Sequence, residues 1–280
     1  MAQTRSWEVS EAFWERVRPL IPVLPKRRAD KEYRRKAGGG RKAMNARKVF
    51  EGIVYVLRTG CQWKALPKER FGSASSIHSY FLQWLREGFF LQLWRAGLAE
   101  YDELEGIAWE WQSVDGSMVK APLAIEDVGP NPTDRGKKNG SKRHLLVDER
   151  GIPLSIVVTG ANRHDVSQLE AVLDAIVIVR PQEVEQHLCA DKGYHGDPAR
   201  EAIETRNYAP HVRQRGEEAE AKKTIPGYKP RRWIVEVAHS WFNRFRKLLV
   251  RYEKLSETYE ALLHLAAAII CWRKIGVIYG

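Results

Sequence analysis

Three acidic residues have the types and setting best suited to chemistry: Asp115 in WQSVDGS, Asp191 in HLCADKGYHG and Glu236 in RRWIVEVAHSWFNRFRK. The first two close apolar, strand-like runs, and the third sits in a basic, helix-like run. A strand that runs into an aspartate places its carboxylate at the end of a sheet, where ligands collect in open α/β folds. An oxygen-rich cluster of this kind suits magnesium, because it leaves coordination sites for phosphate and water. Two such ions would flank a phosphodiester, activating a water or a 3′ hydroxyl on one side and stabilising the leaving oxygen on the other. Taken singly, the residues have plainer readings. An Asp before Gly or Lys-Gly forms turns, and a lone Glu in a helix is usually solvated.

Several neighbours offer support. Lys192, Tyr194 and His195 follow Asp191 and are placed either to touch a phosphate or to form a surface turn. Lys137, Lys138, Lys142 and Arg143 fall in a Gly/Pro-rich stretch expected to be a loop, which would grip a nucleic-acid backbone or simply be solvated. Asp165 in NRHDVSQ is expected to open a helix in a capping box with Gln168, with a supporting role near the site as the alternative. Glu236 and His239 form an E-x-x-H pair as in di-iron bundles, but no second such pair exists and the strands argue against a bundle. The same stretch carries Arg232, Arg244, Arg246, Lys247 and Arg251 among Trp233, Trp241 and Phe245. Those aromatics either pack on the sheet or, for Trp241, stack on an unpaired base.

These side chains need a frame. Residues 108–115, 142–148 and 153–159 read as strands, and Asp148-Glu149-Arg150-Gly151 as a hairpin turn. Helix over 167–179, strand over 187–191, helix over 197–205 and strand over 209–212 follow, then a helix from Arg232. The order implies an antiparallel meander followed by parallel crossovers, with helices on the faces. Only 45 positions separate Asp191 from Glu236, so no large insertion fits between them.

The N-terminal third reads as helices over 8–21, Ala46–Thr59 and the run after the serines at 73, 75 and 76. Gly60 is expected to cap the second. The second and third, joined by GCQWKALPKERFGSASS, suggest a helix-turn-helix exposing Ser75, Ser76, His78, Ser79 and Gln83, or else a small bundle for protein contacts. Between them and the first helix lies a basic arm with eleven Lys/Arg from Lys26 to Lys48 against two acids, including Arg41, Lys42, Arg47 and Lys48. Arms of this kind bind phosphates. Loss of apolar periodicity and an acidic stretch over 101–106 mark a junction.

Composition agrees with a polyanionic partner. The 280 residues carry 46 Lys+Arg against 35 Asp+Glu, a net +11, with 10 Trp and 10 Tyr. Cys61, Cys189 and Cys271 are scattered without zinc or disulfide spacing, which fits a reducing cytoplasm. The most apolar stretch, 261–272, has 12 residues against the roughly 20 needed to cross a bilayer, so no membrane partner is expected.

The chain resembles the DDE transposases of bacterial insertion sequences, in the group called insertion sequence five. The matching stretches are GGGRKAMNARKVFEGIVYVLRTGCQWKALP, WQSVDGSMVKAP, GPNPTDRGKKNGSKRHLLVDERGIPL, GANRHDV, CADKGYHG and RRWIVEVAHSWFNRFRKL, in the family's order. The resemblance implies a ribonuclease H-like α/β core over 106–280 behind a helical, DNA-binding region over 1–105. It implies that Asp115, Asp191 and Glu236 hold two Mg2+ ions, replaceable by Mn2+. It also implies partners: double-stranded DNA, as terminal inverted repeats and target, and a second copy of the chain, since two ends are cut together. A related signature of Tyr, Arg, Glu and Lys is met at Arg232 and Glu236, while Lys229 and Asn243 stand at the Tyr and Lys positions and Tyr228 and Arg244 each lie one residue off. Arg232 is therefore the expected phosphate partner of the acids. A nuclease that cuts without joining ends, and a DNA-binding regulator with a dead core, are the rival classes.

Overall fold

A computed structural model describes residues 5, 7–23, 32, 43–212 and 231–278. Arg41, Lys42, Tyr228 and Lys229 lie outside them.

The N-terminal part is helical: α1 (Glu11–Val17), α2 (Ala46–Thr59), the one-turn α3 (Lys68–Phe71), α4 (Ala74–Arg86) and α5 (Phe89–Glu105). Side-chain caps set the starts: Ser10, Asn45 and Ser73 accept hydrogen bonds from the backbone N–H of Phe13, Lys48 and Ser76. Helix α2 stops at Gly60, whose φ of 71° is the left-handed cap expected from the sequence. The expected junction stretch, 101–106, is helical almost to its end. Helix α5 runs through it with Tyr101 buried, and the break comes only at Gly106, with φ 71°. Apolar spacing fades there because one face of the last turn is solvated, not because the helix has ended.

The second part builds a six-stranded sheet from β1 (Trp111–Lys120), β2 (Gly129–Pro130), β3 (Asn139–Asp148), β4 (Pro153–Gly160), β5 (Gln186–Ala190) and β6 (Tyr208–Val212). Strand β3 lies between β4 and β1 in antiparallel ladders, and β5 and β6 continue beyond β1 in parallel. Two-residue β2 pairs with the start of β3. The β3–β4 hairpin turns on Asp148, whose Oδ1 accepts from the N–H of Arg150 and Ile152, and on Gly151 with φ 82°. Helices α6 (Leu169–Asp174) and α7 (Asp197–Glu204) follow β4 and β5, and α8 (Trp233–Asn243) and α9 (Ser256–Lys274) close the chain. Three antiparallel strands followed by two parallel ones, with helices on both faces, is the ribonuclease H-like arrangement the resemblance implies.

Three expectations need correcting. Strand β1 does not end at Asp115 but continues to Lys120, because the ladder with β3 runs on from Asp115 opposite Leu145 to Lys120 opposite Gly140. Lys142 and Arg143 lie inside β3, in keeping with the strand expected over 142–148 and not with the basic loop in which the same two residues are also grouped. The helix expected over 167–179 is a 3₁₀ turn, Asp165–Gln168, and then α6, which ends at Asp174; the Val177 N–H bonds instead to the Leu154 carbonyl.

Helix α9 packs along α5, where Gly97 lets the Trp272 ring approach to 3.3 Å of where a Cβ would stand. Trp272 Nε1 donates to Glu100 at 2.7 Å, and Arg16 grips the same carboxylate from α1. One buried cluster therefore runs from Val9 and Phe50 through the sheet to Trp272. Helix α2 also leans on the 3₁₀ turn Arg246–Leu248 that follows α8: Arg58 lies over the Phe245 ring at 4.2 Å and Gly60 touches the backbone of Arg246.

Candidate active site

Strand register brings the first two acids together. The parallel ladder pairs Ser113 with Cys189 and stops there; two residues further along come Asp115, still on β1, and Asp191, the first residue past β5. Asp115 stays on an ordered strand because β3 supports its other edge. Asp191 leaves the sheet and caps a short turn, Lys192–Tyr194, its Oδ1 accepting from the Gly193 N–H at 2.6 Å. The turn-forming role open to it in the sequence is thus realised.

Glu236 comes from the first turn of α8, which crosses β1 and β3. Ser113 Oγ donates to the Arg231 carbonyl at 3.4 Å and fixes the start of that helix over β1. One turn on, His239 is buried; Arg143 donates to its Nδ1 at 3.3 Å, and its ring feels the backbone carbonyl of Asp115. Glu236 keeps 57 % of its side chain exposed and pairs with Arg232 at 3.1 Å. Arg232 also acts electrostatically on Asp115, so it links the helix acid to the strand acid.

The electrostatics favour a cation. Burial pushes the Asp115 carboxyl up to about 6; the Gly116 N–H opposes the shift, the charges of Asp191 and Asp165 add to it, and Arg232 offsets it. Crowded carboxylates of this kind lack positive charge, and their donors are all hard oxygens. The residues thus suit a divalent ion in type. Among the described residues, no three His, Cys, Asp or Glu side chains already converge tightly enough to hold one.

Asp165 departs from its expected capping box. The 3₁₀ turn it opens has no side-chain cap. Its Oδ1 instead pairs with Lys142 Nζ at 3.1 Å and lies 3.5 Å from His144 Nδ1, against Gly116. Lys142 also donates to the Arg163 carbonyl at 2.8 Å and is buried, which removes it from the set of DNA grips. Arg143 is removed more decisively. It is fully buried, donating to His239 and Asn243 and lying 5.0 Å from the Phe242 ring centroid. Asn243, at the position of the signature Lys, accepts from Arg143 through Oδ1 at 3.3 Å while the residue stays exposed.

The other candidates divide by surface. Ser75 and Ser79 are exposed and Ser76, Gln83 and Lys48 half-buried, while Lys192 and Arg244 are exposed. Arg47 is held by Glu11 at 2.6 Å and Glu51 at 3.3 Å. His78 packs on Trp63 at 4.9 Å and stacks on Phe81, and burial holds its ring below the usual histidine range. Trp241 covers Gly151 and lies under Lys274 at 3.9 Å, whereas Trp233 is 45 % exposed. The alternation of Lys142 and His144 on β3 was the one sequence signal for the Asp165 cluster, since side chains two apart share a face.

Residues 112–271 match the transposase DDE domain, a stretch that holds Asp115, Asp191 and Glu236. The chain belongs to the DDE transposase family. Residues 9–94 match a second domain described as a putative transposase of the IS4/5 family. The putative transposase for insertion sequence element IS402 of Burkholderia cepacia is 37% identical over 153 residues, which cover 53% of this chain and 70% of that protein. A 16.2 kDa protein of the same element and organism is 29% identical over 125 residues, 44% of this chain and 80% of that one. The crystal structure of the Mos1 mariner transposase catalytic domain aligns with 68% of this chain and 94% of that one at 10% identity, with a TM-score of 0.28, too low to bear on the fold. Enzymes of the DDE family cleave and join DNA strands with divalent metal ions.

Proposed function

We propose that this transposase binds the terminal inverted repeats of its insertion sequence, cuts the strands there and joins them to target DNA, with Asp115, Asp191 and Glu236 holding two Mg2+ ions or Mn2+ in their place. The observation that carries this reading is the charge arrangement: Asp115 and Asp191 crowd one another at the end of the parallel ladder, and Arg232 spans Asp115 and Glu236. Asp115, between the other two, is the acid that would face both ions. Bound there, the metals would activate the attacking oxygen and stabilise the leaving one. Glu236 would exchange its partner Arg232 for metal, which releases the guanidinium to hold a phosphate oxygen.

Recognition falls to the helical part, residues 1–105, and catalysis to 106–280. Within the former, Ser75 and Ser76 on α4, with Lys48 and the arm that carries Arg41 and Lys42, offer polar and basic groups to a duplex. Lys192 and Arg244, exposed near Asp191 and at the end of α8, would hold the backbone close to the cut. Cutting two ends together calls for a homodimer or larger assembly on DNA, acting at the nucleoid in a bacterial cytoplasm. No helix of the described residues is long and apolar enough to cross a membrane.

The test uses duplex ends carrying the inverted repeats that flank the gene. Asp115→Asn, Asp191→Asn and Glu236→Gln should each abolish Mg2+-dependent cleavage and leave duplex binding intact. Full cleavage by any one of them would remove that residue from the site. A strand-transfer assay on pre-cut ends separates a transposase from a nuclease that only cuts.

A further inference from the structure

Three helix ends distant in sequence bring arginines to one place. Arg244 and Arg246 flank Phe245 just past the end of α8, and the Arg58 guanidinium, from the last turn of α2, lies over the Phe245 ring at 4.2 Å. Helix α2 then stops at Gly60 against the Arg246 backbone, where a Cβ on the glycine would stand 3.0 Å from the carbonyl carbon of Arg246. The last turn of α9 reaches the same end of α8. Lys274 Nζ lies 3.9 Å from the centroid of Trp241, whose carbonyl accepts from the Arg244 N–H at 3.2 Å, and Arg273 precedes Lys274 on that turn. The charges act on one another accordingly: burial, with the Arg273 charge added, pushes the Arg58 guanidinium down to about 10, and burial with the Arg244 charge lowers that of Arg273.

No acid answers them. Among the described residues, Arg58, Arg244, Arg246 and Arg273 have no ion pair with a carboxylate. Neighbouring buried cations are provided for: Lys247 pairs with Glu253 at 2.8 Å, and Arg251 donates to the Asp127 carbonyl and to the hydroxyls of Ser141 and Ser256. Arg143, also without a carboxylate, is sealed in and bonded to His239 and Asn243. Arg58 is 8% exposed, and its Nε is buried without a hydrogen-bond partner. A cation taken that far out of water calls for a counter-charge. A plainer reading has arginines complementing the dipoles of the helix ends. Solvated side chains do that equally well, so it accounts for exposed Arg244 and Arg246 and not for the burial of Arg58.

We propose that Arg58, Arg244 and Arg273 together hold one phosphate of a DNA backbone, at the seam where the helical part meets the end of α8. Guanidinium groups suit this task because their planar forks of donors pair with phosphate oxygens. The bound strand would tie α2, within the stretch that matches the IS4/5 family domain, to the DDE domain. The proposal rests on duplex DNA as the partner, as proposed above, and needs neither metal nor cleavage.

Fluorescence anisotropy of a labelled duplex carrying the flanking inverted repeat, titrated with the full-length protein in EDTA over a range of KCl, is the measurement. Arg58→Met, which keeps an unbranched apolar chain over Phe245, and Arg273→Met should each weaken binding about tenfold at about 0.1 M salt and make the salt slope shallower by about 1. One phosphate can be lost only once, so the Arg58→Met/Arg273→Met double variant should show the slope of either single variant. A parent-like slope in a folded Arg58→Met overturns the proposal. So does a double variant whose slope falls by about 2, since the arginines then serve separate phosphates. Should Arg58→Met fail to fold in a thermal melt, Arg273→Met and Arg244→Ala, alone and combined, make the same comparison with the same outcomes. Absence of duplex binding by the parent protein overturns instead the reading of DNA as the partner.

Discussion

At the scale of single residues, burial separates charges that the sequence leaves equivalent. Lys142 and Arg143 sit side by side in a basic run, yet strand alternation sends Lys142 to Asp165 on one face and Arg143 to His239 and Asn243 on the other. Arg143 Nε and Nη1 are buried without partners, and burial holds the guanidinium below its ordinary range. A buried cation without a carboxylate contributes little stability, so a hydrophobic group of similar length should be tolerated. Arg143→Met is therefore expected to keep the parent's duplex affinity in fluorescence anisotropy and to unfold at equal or higher urea. A large loss of affinity in a folded Arg143→Met would return this residue to the DNA surface.

At the scale of elements, three helices distant in sequence meet on one carboxylate. Glu100 on α5 accepts from Arg16 of α1 at 2.7 and 2.8 Å and from Trp272 of α9 at 2.7 Å. The Arg16 hydrogen bonds hold the Glu100 carboxyl below the usual glutamate range, with burial opposing them and Trp272 assisting. A carboxyl whose folded pKa is lowered stabilises the fold above its unfolded pKa and loses that contribution as pH falls through the folded one. Glu100→Gln should cost about 1–2 kcal/mol at neutral pH, a value discounted because Arg16 is partly solvated. Urea titrations of parent and variant should converge as pH drops below the carboxylate range. A gap that persists in acid would mean that packing around Trp272, and not the charge, carries the effect.

At the scale of the whole molecule, net charge and metal chemistry separate binding from cutting. With a net charge of +11, duplex affinity should fall steeply with salt, with a logarithmic slope of about −0.9 per phosphate contacted. Exposed Arg244→Ala should reduce that slope by about 1. EDTA should stop cleavage and leave binding unchanged; cleavage that survives EDTA would remove metal from the mechanism.

Local signals made much of this legible. Asn45, Gly60 and the apolar spacing between them determined α2 to the residue, since caps and periodicity act within one helix. The Asp148–Gly151 turn and the motifs around Asp115, Asp191 and Glu236 were likewise readable, because turn chemistry and ordered motifs are local. Helix α5 has no counterpart among the helices read from the sequence, because its inward face is defined by α9, some 170 residues away. Sequence by itself pointed to Asp115, Asp191 and Glu236 as the candidate acids and to the elements that carry them. Tertiary structure decided that β1 continues past Asp115, that Arg143 is buried, and that Asp165 packs against Gly116 and pairs with Lys142. Those outcomes depend on strand pairing and on contacts across the sheet, and a pattern along one chain carries the period of an element but not the identity of what packs against it.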